Sequence, residues 1–109
     1  MTQRKVKTFT AKQLDRLIED AIVDAYDECE QAVGFLTLME DNLALPFETT
    51  VLEQLVSVIK LDITQSNEIV AICVRGKASQ AIPILSLPLP RPRPAGAEWI
   101  DAYRRWRGA

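Results

Sequence analysis

Between Pro46 and Phe47 the apolar residues of this chain change their spacing, from one in every three or four to roughly one in two. Neither a layer of helices alone nor a sheet alone satisfies both halves, so the pattern demands an α+β fold with helices first and strands after. Leu14, Leu17, Ile18, Ala21, Ile22 and Ala25 form one helical stripe, with Asp15, Glu19 and Asp20 off it. Thr10 and Gln13 stand at capping-box spacing, and Phe9 and Leu14 occupy the staple positions, which predicts a helix start at residue 10. Asp27 suits a cap or turn, so a break is expected near residues 26–28. A second helix then runs to about Leu43, with Cys29, Ala32, Val33, Leu36, Met39 and Leu43 facing inward. Gly34 costs that helix about 1 kcal/mol against alanine, which a close packing contact would explain. Asn42 and Pro46 end it.

After Phe47, Thr49–Leu52 and Leu55–Ile59 read as strands with Glu53-Gln54 as the turn or bulge between them. Residues 62–67 are rich in turn formers, Ile69–Val74 is a buried strand ended by Gly76, and Gln80–Leu85 is another that Pro83 confines to an edge or bulge. Loops this short cannot hold crossover helices, so the strands are antiparallel, in a small SH3-like barrel or a meander. The run Leu87-Pro-Leu-Pro-Arg-Pro-Arg-Pro94 has to be extended, because alternate prolines deny both helix and ladder. It reads as a stiff connector, although its PxxP spacing also fits an SH3-type ligand. Trp99, Tyr103 and Trp106, with Ile100 beside them, share one face of a short terminal helix that is expected to dock through its aromatics. The 109 residues suit one domain: a helix pair over 10–44, a sheet over 47–86, the connector over 87–96 and a C-terminal helix over 97–107.

Charge is distributed unevenly. Residues 15–48 hold ten acids against one base, Arg16, a net −9, whereas residues 1–12 carry +4 and residues 75–109 carry +5. Opposite-signed regions can pair within the fold, or the acidic third can gather cations. The sequence has no histidine, no Gly-rich phosphate loop and no serine with a recognisable base, so no enzyme is expected. Cys29 lies among carboxylates, the reverse of the electropositive setting that activates a thiol. Cys29 and Cys73 fit reduced thiols in the cytoplasm. The basic N-terminus lacks the apolar core of a secretory signal, and no segment has the length of a membrane span, so no membrane is expected as a partner. The net charge of −2 argues against nucleic acid, for which the arginine-rich tail is the only candidate.

Oxygen ligands remain. Asp20, Asp24, Asp27 and Glu28 recur at three- and four-residue spacing, and Glu30 lies near the expected break, where backbone carbonyls are also free. Six to eight such oxygens suit calcium. The glycine and alternating Asp/Asn ligands of an EF-hand are absent. On the residues alone, two readings stand: a hard-cation site, or a solvated helix face of the kind most acidic helices carry. The run Val23-Asp24-Ala25-Tyr26, then Glu28, Glu30-Gln31 and Gly34, followed by Glu40-Asp41, Leu43 and Pro46-Phe47, resembles the signature of the cyanobacterial CcbP-like calcium-binding proteins. The similarity is clear over about residues 18–50 and looser beyond. It implies a small cytoplasmic protein that binds Ca2+ through surface carboxylates and buffers it. Asp24, Glu28, Glu30, Glu40 and Asp41 match the family's acidic positions, while Asp27 stands where the family is expected to have glycine. The leading expectation is therefore a non-catalytic calcium-binding protein, a buffer or sensor, with Asp24, Asp27, Glu28 and Glu30 as the main ligands and Glu40 and Asp41 as a second candidate. The alternative is an interaction module that uses the acidic face or the proline-rich run.

Overall fold

A computed structural model describes residues 9–108; Arg4, Lys5 and Lys7 of the basic N-terminus, and the secretory-signal reading, lie outside the described residues. Three helices pack on one side of a four-stranded sheet. Helix α1 spans Ala11–Ile22. Its start is the expected capping box: Gln13 N–H donates to Thr10 Oγ1 at 3.1 Å, and Thr10 N–H donates to Gln13 Oε1 at 2.8 Å. The helix ends earlier than its apolar stripe, because Asp24 takes a left-handed conformation (φ 61°), which a short polar side chain tolerates.

Helix α2 covers Glu28–Asn42, with Asp27 as its N-cap. Its inward face differs from the one the spacing predicts. Ala32, Phe35, Met39 and the following Leu43 are buried, whereas Val33 is 44% exposed and Cys29 is exposed. Apolar residues nearly encircle this helix, so periodicity alone could not fix its rotation. Two contacts do. Phe35 meets the rings of Tyr103 and Trp106 at 5.6 and 5.0 Å between centroids, and Gly34 lies against the backbone of Ala21 so closely that a Cβ there would overlap the Ala21 carbonyl oxygen. The close contact expected at Gly34 is thus present.

Strands β1 (Phe47–Val51), β2 (Gln54–Ile63), β3 (Ile69–Arg75) and β4 (Ala78–Pro83) form an antiparallel sheet in the order β1-β2-β3-β4. The arrangement is the meander, with Pro83 ending an edge strand. The first turn is Leu52-Glu53, one residue earlier than predicted. A bulge between Val58 and Lys60 lets both Val58 and Leu61 point into the core although they are an odd number of residues apart. Ile69, Ala71 and Cys73 complete that face. Beyond β4, a 3₁₀ turn, Ile84–Ser86, leads into the proline-rich run. Leu87 is buried, Leu89 packs against the core, and Thr49 Oγ1 donates to the Pro88 carbonyl at 2.6 Å. The run is therefore strapped to the domain, as a connector should be. Its far end meets α2: Ala44 N–H donates to the Ala95 carbonyl at 2.8 Å, and Gly96 (φ 88°) leaves no room for a Cβ beside Asn42. Helix α3, Glu98–Arg107, docks as predicted, burying Trp99, Ile100 and Tyr103. Tyr103 Oη accepts the Ile69 N–H at 3.1 Å, tying the helix to the sheet.

Candidate metal centre

The acidic residues divide between the two ends of α2. Asp24 and Asp27 lie in the joint between α1 and α2, while Glu28 and Glu30 lie in the first turn of α2. Glu40 and Asp41 lie in its last turn, about 18 Å away along the axis at 1.5 Å per residue. The structure does break the chain before α2, which separates the four joint acids from a straight helical face.

Two of the joint acids are engaged with backbone. Glu30 N–H donates to Asp27 Oδ1 at 2.9 Å, and Tyr26 N–H donates to Glu30 Oε1 at 2.8 Å. This is a capping box in which the glutamate reaches one residue past the cap. The cap expected at Asp27 is present, and Glu30, expected only as a ligand, completes it at D-x-x-E spacing. Each carboxylate retains lone pairs, since an ionised carboxylate accepts at about four positions. Asp24 and Glu28 make no hydrogen bond or ion pair among the described residues, and both are exposed. At the other end, Glu40 and Asp41 occupy a helix terminus where the dipole favours cations, and no basic residue shares that turn.

The donor chemistry suits a hard cation: carboxylate oxygens, no imidazole and no thiolate set. The arrangement is not a finished cage, because among the described residues no three Asp, Glu, Cys or His side chains are gathered around one point. Near the joint, Glu28, Gln31, Trp106 and Arg107 line a shallow cleft of about 350 Å³. Arg107 also lies over the Tyr103 ring at 5.6 Å. Trp106 is expected from sequence only as a docking aromatic, and nothing in the local pattern places it or Arg107 beside Glu28.

The CcbP family model, described as "Calcium binding", matches residues 15–107. This chain belongs to the CcbP calcium-binding family. The match extends well beyond the helical stretch that carried the resemblance in sequence, through the sheet and into α3. Calcium is the ion of the family to which the chain belongs. The fold is similar to that of CcbP from Anabaena, with a TM-score of 0.74 at 18% identity, covering 94% of this chain and 95% of the other. It is also similar to a calcium-binding protein solved in its calcium-binding form, with a TM-score of 0.65 at 17% identity, covering 89% and 92%. At these identities the two structures speak to the fold alone. No curated protein sequence matches the chain. No helix among the described residues is long and apolar enough to cross a membrane.

Proposed function

We propose that the protein is a non-catalytic cytoplasmic calcium buffer that holds the ion with surface carboxylates and without an EF-hand. Asp24, Asp27, Glu28 and Glu30 are the principal ligands, and Glu40 and Asp41 form a second, weaker place. One observation carries this reading beyond family membership. Of the ten acids between residues 15 and 48, only Asp15 forms an ion pair among the described residues, with Arg105. Among the described residues, then, the acids from Glu19 to Glu48 are not neutralised by the basic C-terminal segment. The acidic third keeps its charge facing solvent, where it concentrates divalent cations and offers them oxygen donors. The capping bonds of Asp27 and Glu30 hold those two side chains at the joint, and Asp24 and Glu28 have no competing partner among the described residues.

Calorimetric titration of the full chain with calcium tests the reading. Saturable heat is expected, and it should fall sharply in the double variant Asp24→Asn, Glu28→Gln. That pair removes no intrachain bond of the described residues, so weaker binding would not reflect a lost cap. Absence of heat at millimolar calcium, or an isotherm unchanged in the variant, sinks the proposal. The exposure of Val23 (66%) and Tyr26 (90%) beside the same acids favours a second reading, docking of a basic protein partner. Salt-sensitive capture of such a partner in the presence of chelator would support it. The proline-rich run is the weaker alternative, since Leu87 and Leu89 are already packed against the chain's own core.

A further inference from the structure

In a four-stranded meander the β1–β2 and β3–β4 turns fall at the same end of the sheet. The pairing of Ser57 with Val74, continued toward that end, sets Gly76 beside Leu55, so the two tips are level to within about two residues, or roughly 7 Å. The first tip is chemically unusual. Leu52 and Glu53 both have positive φ, 49° and 64°, in a two-residue turn whose geometry favours Asn-Gly or Asp-Gly. A bulky residue at φ > 0 is an outlier. Leu52 gains no packing in return, since it is 92% exposed, and Leu55 behind it is 57% exposed. Strain held at an exposed apolar side chain points to a use outside the fold. The second tip supplies charge: Arg75 and Lys77 flank Gly76, are exposed, and join no ion pair among the described residues. Two bases face one acid, Glu53, at this end of the sheet.

We propose that these paired hairpin tips dock the protein on the surface of an anionic phospholipid bilayer. The leucines enter the boundary of the acyl region while Arg75 and Lys77 stay among the phosphates, the division that interfacial anchors use. A protruding tip suits a deformable lipid surface; a protein partner needs about 800 Å² from each side, which two turns do not present. The expectation of no membrane partner rests on the lack of a spanning segment, which surface docking does not require.

The test is flotation of the full chain with vesicles rich in phosphatidylglycerol, against vesicles of phosphatidylcholine only, with EDTA present so that the outcome does not depend on calcium binding. Weak, reversible association with the anionic vesicles alone is expected. The variant Leu52→Asn installs a residue the turn prefers and leaves the charge of Glu53 in place, so it should melt at a higher temperature. Its vesicle partitioning should nevertheless fall about tenfold, the loss expected for withdrawing a leucine from an apolar phase. Arg75→Gln with Lys77→Gln should lower partitioning by about fivefold per charge. No association of the wild-type chain with anionic vesicles, or unchanged association after Leu52 is replaced, overturns the proposal.

Discussion

Replacing Gly34 with alanine sets two opposed effects against each other. Alanine in a helix interior is favoured over glycine by about 1 kcal/mol. The Cβ it brings would overlap the carbonyl oxygen of Ala21 and lie 3.1 Å from that carbonyl's carbon, and both are backbone atoms that no rotamer change can move. Restoring an ordinary carbon–oxygen separation of about 3.3 Å requires α1 and α2 to part by roughly 1 Å at their closest approach. Ala21, Ala32 and Phe35 are buried in the two helices, and overpacking such an interior costs about 1–3 kcal/mol, with backbone displacement at the upper end. After the propensity gain is subtracted, the variant should be about 2 kcal/mol less stable, a fall in Tm of about 8–16 °C for a domain of this size. Urea unfolding followed by circular dichroism measures it, with an unchanged m-value showing that the unfolded state is not responsible. Ala21 belongs to the last turn before the acidic joint, so with the joint acids as the proposed ligands calcium should also bind the folded variant more weakly. If the variant is as stable as the parent, or more stable, the helices do not touch at Gly34 and the account of the joint is wrong.

Tyr103→Phe should cost about 1–3 kcal/mol, because it leaves the buried Ile69 N–H without an acceptor; a thermal melt unchanged by the substitution would remove that tie between α3 and the sheet. Arg105 lies 2.7 Å from Asp15 and holds its carboxyl below the usual 3.8. The folded state then binds fewer protons than the unfolded one over this range. The pair's contribution is fully present above 3.8 and disappears as pH falls through the lowered folded value. Arg105→Gln should abolish that acid-limb difference, read by comparing urea midpoints of the two proteins across pH. With a thiol reagent, exposed Cys29 should react at once. Cys73, buried in β3 with its thiol pushed up by that burial, should react only on unfolding; equal native rates would contradict its placement in the core.

Local chemistry was enough to read much of this chain. Thr10 and Gln13 announce the start of α1 because the bonds they make are with residues three positions away. The alternation after Phe47 announces strands, and loops too short for a crossover announce the antiparallel order. Trp99, Tyr103 and Trp106 declare the inward face of α3 because no other side of that helix is apolar. The carboxylates were equally visible as residues, and so was the family signature around them. What spacing could not supply was the direction of α2, whose apolar residues nearly encircle it. Only the aromatic contacts from α3 and the approach of Ala21 to Gly34 turned Phe35 inward and left Cys29 and Val33 outside. The same holds for the acids. Which of them find an arginine depends on where α3 comes to rest, some ninety residues along the chain from Asp15. Sequence fixes a carboxylate's neighbours within a turn of helix, because those distances are set by the backbone. Whether its charge is neutralised or left to solvent is set by distant elements meeting, and that is decided only when the core closes.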